Sequence, residues 1–256
     1  MTRETRQDKA QRQAPGVRIA MWSGPRNIST ALMRSWESRD DTFVCDEPLY
    51  AHYLSRTNVD HPGREEVLTT QETDWRKVVE YLTGDIPGGK SIFYQKHMAH
   101  HLLPGMDRAW IHSVTNAFLI RDPREMLTSL IRVTPSPTVE DTGLPQQWEL
   151  FELLREEAGV APPVLDVKDI LDNPRGMLAA LCETVAVPFQ EEMLSWQVGP
   201  RDTDGVWAKY WYGAVEKSTG FQPYKPKPDP VPERLRAVHE ECRVSYDRLY
   251  EHRLRA

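Results

Sequence analysis

The stretch 17-VRIAMWSGPRNISTALMRSW-36 is a strand, a loop and a helix written in one line. Val17, Ile19 and Met21 alternate with Arg18 and Ala20, the period of two that a strand imposes on its side chains. After the turn-forming Ser23-Gly24-Pro25, apolar residues fall at Leu32, Met33 and Trp36, where the period has become about 3.6. Between the two periods stand Arg26, Asn27, Ile28, Ser29 and Thr30, a guanidinium and two hydroxyls at the point where a helix would begin. The first N–H groups of a helix have no partner within it and carry partial positive charge, so an Arg at this point makes an anion site. Read as a plain βα turn, the segment would use Ser29 or Thr30 as its N-cap.

The same alternation continues outward from this stretch. Thr42-Phe43-Val44-Cys45 is a second strand candidate running into Asp46-Glu47-Pro48, where the proline biases Glu47 toward extended backbone and leaves carboxylates at the strand tip. Asp74 reads as the cap of a helix that carries Trp75, Val78, Val79 and Leu82 and stops at Gly84. Ser91 to Gln95 is a third strand delivering Lys96 and His97, and Val114 to Ile120 a fourth delivering Arg121. In Asp122-Pro123-Arg124-Glu125, a cap residue, a proline at the first helical position and an acid three residues after the cap mark a helix start. Pro145 to Ala158 reads as an amphipathic helix, Pro163 to Val167 as a fifth strand, and Asn173-Pro174 as the opening of another helix. Residues 198–224 break the pattern, with Trp207, Tyr210, Trp211 and Tyr212 crowded together. A proline-rich run from Pro223 to Pro232 then precedes a closing helix through Leu235, Val238, Cys242, Tyr246 and Leu249. His52 to Thr70 and Val133 to Leu144 read as loops. The sustained alternation predicts an α/β fold of three layers, with helices on both faces of a central, mainly parallel sheet.

An apolar fraction of 39% over 256 residues suffices for one sizeable core, so residues 17–256 are expected as one domain behind a polar, disordered tail of residues 1–16. The excess of Arg3, Arg6, Lys9 and Arg12 over Glu4 and Asp8 makes a transit peptide the alternative for that tail. Cys45, Cys182 and Cys242 form neither a CxxC pair nor a disulfide framework, which fits a reducing cytoplasm. No apolar run reaches the length of a membrane span. A net charge of −6 argues against a nucleic-acid-coating surface, so an anionic ligand needs a local pocket. His97, His100 and His101 stand close in sequence, but without a Cys partner or a helical HExxH frame no metal is expected.

Ligands of a doubly wound sheet collect beyond the carboxyl ends of its strands, and four candidate strands deliver Arg26, Glu47, Lys96 with His97, and Arg121 to that edge. The loop from Ser23 to Thr30 is P-loop-like but lacks the Gly-Lys-Ser/Thr ending of a nucleoside triphosphatase, so its cation is a guanidinium. A second anion site is implied by Arg121 at the mouth of a helix. At about 100° per residue Ser129 falls off the stripe of Met126, Leu127 and Leu130, which leaves its hydroxyl for a ligand.

Together these motifs resemble the sulfotransferases that use 3′-phosphoadenosine 5′-phosphosulfate (PAPS). Trp22 to Thr30 is similar to their 5′-phosphosulfate loop, and FLIRDPREMLTS, Phe118 to Ser129, to their 3′-phosphate motif. Asp166 to Trp196 resembles the family's strand, acidic loop, helix and proline-bearing turn, so the likeness runs from Val17 to Trp196. The SGPRN loop resembles most that of bacterial and plant sulfotransferase-like proteins whose labels sometimes mention aminotransferases; no motif here calls for pyridoxal chemistry. The resemblance implies that the loop Ser23, Gly24, Pro25, Arg26, Asn27, Ile28, Ser29 and Thr30 holds the phosphosulfate, and that Arg121 and Ser129 hold the 3′-phosphate.

In well-known cytosolic members the catalytic His follows a Lys with one residue between, whereas Lys96 and His97 are adjacent. Other members use a Glu soon after the second strand, which ranks Glu47 above His97 as the base. His97 or Lys96 is then expected to donate to the transferring or bridging oxygen. Ser218 and Thr219, in Lys217 to Phe221, read either as a loop over the adenosine or 3′-phosphate or as a plain turn. The aromatic group from Trp207 to Tyr212 reads either as an acceptor wall or as local core. The implied reaction moves a sulfuryl group from PAPS to a hydroxyl, or less favourably an amine, of a small molecule or carbohydrate, leaving 3′-phosphoadenosine 5′-phosphate (PAP). The alternatives are an NTP-using P-loop enzyme such as a nucleotide kinase, and a PAP-binding protein without catalysis. Neither acceptor identity nor oligomeric state has a sequence signature.

Overall fold

The computed structural model describes residues 16–256, so the expected tail lies outside the described residues except for Gly16. From that glycine the chain enters β1 (Val17–Ser23), α1 (Ser29–Glu37) and β2 (Thr42–Asp46). Three helices follow, α2 (Tyr50–Arg56), α3 (Arg64–Thr70) and α4 (Trp75–Thr83), and then β3 (Ile92–Met98). Next come β4 (Thr115–Ile120), α5 (Pro123–Leu130), α6 (Leu144–Ala158) and β5 (Val164–Asp166). The remaining helices are α7 (Val167–Asp172), α8 (Pro174–Thr184), α9 (Ala208–Trp211) and α10 (Arg236–Glu251).

The five strands form one sheet in the order β2-β3-β1-β4-β5, with every neighbouring pair parallel. Alternation along the strands divides the apolar residues between two layers. Ala20, Trp22, Phe93, Phe118 and Ile120 meet α4, α5, α6 and α10 on one face. Ile19, Met21, Tyr94, Leu119 and Leu165 meet α1, α7 and α8 on the other. The expected three-layer α/β/α architecture is therefore present. Because α1 leaves β1 toward one face and α5 leaves β4 toward the other, a crevice opens between the carboxyl ends of these two strands.

Several helix starts lie where their capping residues put them. Asp122 accepts from the N–H groups of Arg124 (2.9 Å) and Glu125 (3.4 Å) behind Pro123, Asp74 accepts from Arg76, and Asn173 from Gly176. The first helix is different. Neither Ser29 nor Thr30 caps it; both lie in its first turn, and the chain enters through Ile28 in the left-handed region at φ 54°.

Other boundaries move for equally local reasons. The third strand runs on through Lys96 and His97 to Met98, because β1 pairs with it along its whole length. The fifth strand is shorter than expected, since Asp166 accepts from the N–H of Lys168 (2.8 Å) and starts α7 at Val167. The expected loop from His52 to Thr70 contains most of α2 and all of α3. These are seven-residue helices, α3 buries Val67 alone, and so few turns show no readable period. Their Tyr50, Tyr53, Leu54 and Val67 pack with Trp207 and Tyr212 in a third apolar cluster beside the sheet.

Candidate active site

A cleft of about 730 Å³ runs along the carboxyl edge of the sheet, a size suited to small-molecule ligands. Its first end is built from the two segments singled out in the sequence. Gly24 sits where a Cβ would lie 2.1 Å from the carbonyl oxygen of Thr142, so the loop after β1 can pass under the segment before α6 only as glycine. Asn27 is buried and donates its side-chain amide to the carbonyl of Leu119 (3.3 Å), tying the loop to β4. Arg26 and Ile28 adopt positive φ of 62° and 54°, and Glu47, across the cleft, 43°. Ala186 is the remaining non-glycine residue of this kind among the described residues, so left-handed backbone gathers at the cleft, where strain is commonly kept for function. The extended backbone expected of Glu47 before Pro48 is thus not what forms; the chain turns sharply after β2, with Tyr50 N–H donating to the Glu47 carbonyl (2.9 Å).

Arg26 and Arg121 come together. Arg121 donates Nη1–H to the carbonyl of Arg26 (2.8 Å), and Arg26 donates Nε–H to Ser129 Oγ (3.0 Å). The Ser129 oxygen thus accepts from the loop arginine, while its O–H has no acceptor among the described residues and lines the cleft. Glu125 holds Arg121 from behind at 3.0 Å and accepts from the Tyr224 hydroxyl at 2.6 Å. Arg124 donates to the Lys227 carbonyl (2.7 Å), so the proline-rich run is fastened over this end and brings Lys227 to the cleft. Burial, followed by Arg121 and Arg132, lowers the Arg26 pKa from its usual value. Burial, then Arg121, lowers that of Lys227, with Arg132 and Arg26 adding to the effect and Glu125 opposing it. Buried cations grouped in this way are better accommodated once an anion arrives.

The sequence reading missed Lys227, since a lysine within KPKPDP reads as a solvated extended run. Ser218 lines the cleft with its hydroxyl turned to the Val215 carbonyl (2.7 Å) while accepting from Trp196 Nε1 (3.1 Å). Thr219 does not line the cleft; its carbonyl accepts from the Trp196 N–H (3.1 Å).

At mid-cleft, Lys96 and His97 part company, as neighbours on a strand must. Lys96 is fully buried and directs its three N–H bonds to Glu47 Oε1 (2.6 Å), Tyr212 Oη (2.7 Å) and Asp46 Oδ1 (2.8 Å). Tyr212 in turn donates to Asp46 and accepts from Trp207 Nε1 (3.2 Å), while Asp46 also accepts from the Gly205 N–H (3.0 Å). Burial opposes the ammonium, but Asp46, Glu47 and Tyr212 outweigh it and raise the Lys96 pKa well above the ordinary range. Burial raises the Glu47 pKa, with Asp46 adding and Lys96 opposing. Glu47 lines the cleft, and its Oε2 has no hydrogen-bond partner among the described residues.

His97 points into the opposite layer. Its ring stacks on Trp22 at 4.4 Å and tilts against Trp110 at 5.9 Å, and burial pushes its pKa down to about 3. The structure brings Arg26, Arg121, Ser129, Glu47 and Lys96 to one cleft and leaves His97 out of it. The three Lys96 protons are engaged by Glu47, Tyr212 and Asp46 within the cleft wall, and His97 does not line the cleft. The second end of the cleft is aromatic, walled by Tyr50, Tyr53, His61, His100 and Trp211, with Tyr212 as its link to the Lys96 network. Trp207 and Tyr212 are buried as local core, Tyr212 also reaching the cleft, while Trp211 lines the cleft and Tyr210 is exposed. Among the described residues no group of three or more His, Cys, Asp or Glu side chains is arranged to hold a metal.

The fold is a three-layer α/β/α class built on one parallel sheet, with the loop after β1 at its switch point. Within that class the chain belongs to the sulfotransferase family, whose "Sulfotransferase domain" profile matches residues 17–239. It is 36% identical over 234 residues to "Branched-chain-amino-acid aminotransferase-like protein 2" of Arabidopsis thaliana, covering 91% of this chain and 41% of that protein. The chain thus spans about two fifths of the length of that relative. Among solved structures it superposes on a sulfotransferase from Alicyclobacillus acidocaldarius with a TM-score of 0.52 at 12% identity, covering 94% of this chain and 98% of that one. The sulfotransferase domain of the Synechococcus PCC 7002 olefin synthase gives 0.50 at 15% identity, covering 91% and 96%. Such distant likenesses carry the fold.

Proposed function

We propose that this protein is a PAPS-dependent sulfotransferase acting on a hydroxyl of a small molecule, in preference to an amine. One observation carries the reading: the two arginines of the two anion motifs share one end of a cleft, joined by the Arg121 to Arg26 carbonyl hydrogen bond, and Glu47 lines the same cleft. The cluster of Arg26, Arg121 and Lys227, neutralised only in part by Glu125, fits a ligand with two phosphoryl-type groups. Bound PAPS supplies an activated sulfuryl group whose S–O bond to the 5′-phosphate breaks as the bond to the acceptor oxygen forms.

The protein's part is electrostatic and positional, by analogy with phosphoryl transfer. Arg26 and the start of α1 hold the 5′ end and stabilise charge on the departing phosphate. Arg121 and Lys227, with Ser129 steadying Arg26, hold the 3′-phosphate end. Glu47 accepts the acceptor's hydroxyl proton at Oε2, and burial makes it a stronger base than an exposed carboxylate. Lys96 acts as a positioning residue, holding Oε1 and balancing the charges of Asp46 and Glu47.

Calorimetric titration with PAP, AMP and ATP, each with and without chelator, tests the donor assignment. A strong chelator-insensitive preference for PAP is expected; equal binding of AMP, or a magnesium-dependent preference for ATP, would overturn it.

A further inference from the structure

The two ends of the cleft differ in charge as well as in shape. Every Lys and Arg of the cleft wall apart from Lys96 belongs to the end that faces Arg26 and Arg121. At the other end Tyr50 and Tyr53 stack on the His101 ring at 4.9 and 4.7 Å, His100 meets Tyr53 edge-on at 5.3 Å, and Trp211 meets His61 at 6.1 Å. The Tyr50 hydroxyl and His61 Nδ1 are 2.6 Å apart, which fixes that corner. Two carboxylates line this end, Asp60, which is exposed and sits beside His61, and Asp141, which is half-buried. Asp141 Oδ2 accepts from the Thr138 N–H (2.8 Å), and Asp141 pairs with no Lys, Arg or His among the described residues.

Asp141 lies close enough to act on three members of the wall. Its charge reinforces burial in raising the Tyr53 pKa, and opposes burial at His61 and at His100, which burial holds down at about 4. The histidines are therefore neutral rings near pH 7 and do not serve as counter-ions. Arg64, whose charge reaches Tyr50 and His61, donates to the Val59 carbonyl and does not line the cleft. An unpaired carboxylate beside several aromatic faces is the arrangement that attracts an organic cation, by charge and by the ring quadrupoles together.

We infer that the acceptor is a hydroxyl compound carrying an ammonium group, its cation seated between Asp141 and the rings of Tyr53, His100 and Trp211 while its hydroxyl reaches Glu47. The inference rests on the sulfotransferase reading for the role of Glu47, but the cation subsite is a matter of binding alone. It separates the acceptor from the donor by charge: the phosphates are drawn to one end of the cleft and the ammonium to the other.

The experiment uses a pair of alcohols of equal shape, choline and 3,3-dimethylbutan-1-ol. Each is titrated into the full chain with and without saturating PAP, and each is offered as an acceptor with PAPS. Choline is expected to bind about tenfold more tightly than its neutral twin and to be sulfated with about tenfold higher kcat/KM. Asp141→Asn keeps an acceptor for the Thr138 N–H, so it should fold, bind PAP as the parent does, and lose most of the preference. Equal binding of the two alcohols, or a preference that survives Asp141→Asn, would overturn the inference whether or not PAP binds. A choline preference in a protein that does not bind PAP would keep the cation subsite and overturn the donor assignment.

Discussion

The two ends of the cleft were written into the chain in different ways. The proposed donor end is assembled from two contiguous segments, residues 22–30 and 118–129, each running on from the end of a strand of the central sheet. The acceptor end is assembled from α2, the turn after β3, the segment before α6 and the short α9, none of which carries a motif by itself. Backbone geometry makes the first end, since a strand, a tight turn and a helix N-terminus must be consecutive. Packing makes the second, since aromatic rings can reach a wall from any loop. The proposed phosphate end is therefore legible as a motif, and the proposed acceptor end only as a surface.

The sharpest way to break this division is at the junction. Replacing Glu47 by Gln keeps an acceptor for Lys96 but removes the base, and turnover is expected to fall about 10²–10⁴-fold with PAP affinity unchanged. In the parent, kcat/KM should fall on acidification through a pKa above the usual carboxylate range, because the raised Glu47 is protonated, and inactive, below it. Steady-state kinetics across pH checks both; near-normal turnover in the variant removes Glu47 from the mechanism.

Next in size is Arg26→Ala, expected to cost about 10²–10³ in turnover if the guanidinium stabilises the leaving phosphate. Its side chain also orders Ser129, so circular dichroism should accompany the kinetics to show that the fold persists. Arg121→Ala should act on binding more than on chemistry. Loss of about 10–100-fold in PAP affinity, with AMP affinity nearly unchanged, is expected by calorimetry if this residue reads the 3′-phosphate. A parallel loss for AMP would assign Arg121 to the loop architecture instead.

What the sequence made legible follows the same line. The period of β1, the apolar run of β4, the caps Asp122, Asp74 and Asn173, and the places of Arg26 and Arg121 beyond the ends of β1 and β4 could be read because each depends on a few consecutive residues. Lys227 could not, because its place is set by the distant Arg124 and Glu125. Tyr212 was read as one of a crowd of aromatics, and nothing local foretells a hydroxyl between Lys96 and Asp46. The left-handed Glu47 contradicts the Pro48 rule because a long-range bond and a local turn fix its backbone: its N–H donates to the Lys96 carbonyl, and its own carbonyl accepts from Tyr50 three residues on. Lys96 and His97 read in sequence as residues delivered beyond the third strand, whereas β3 includes both. One or two extra residues of β-structure decide which face each side chain takes.

That last point gives the smallest expected effect on activity and the clearest internal control. His97→Phe keeps an aromatic ring against Trp22 and Trp110, and turnover is expected to stay within about threefold of the parent, in contrast to Glu47→Gln. Its signature lies in stability instead. Burial depresses the folded His97 pKa to about 3, so between that value and the ordinary imidazole range the unfolded chain binds one more proton at this residue than the folded one. Stability contributed by neutral His97 is present above the unfolded pKa and is lost as the pH falls toward the folded one. The loss amounts to about 1.4 kcal/mol per pH unit in that window. Denaturant unfolding of His97→Phe at pH 4, 5 and 6 should show a slope shallower by about that amount, whatever the absolute change in stability. An unchanged slope together with a large loss of turnover would put His97 in the cleft and reverse the assignment of the two faces of β3.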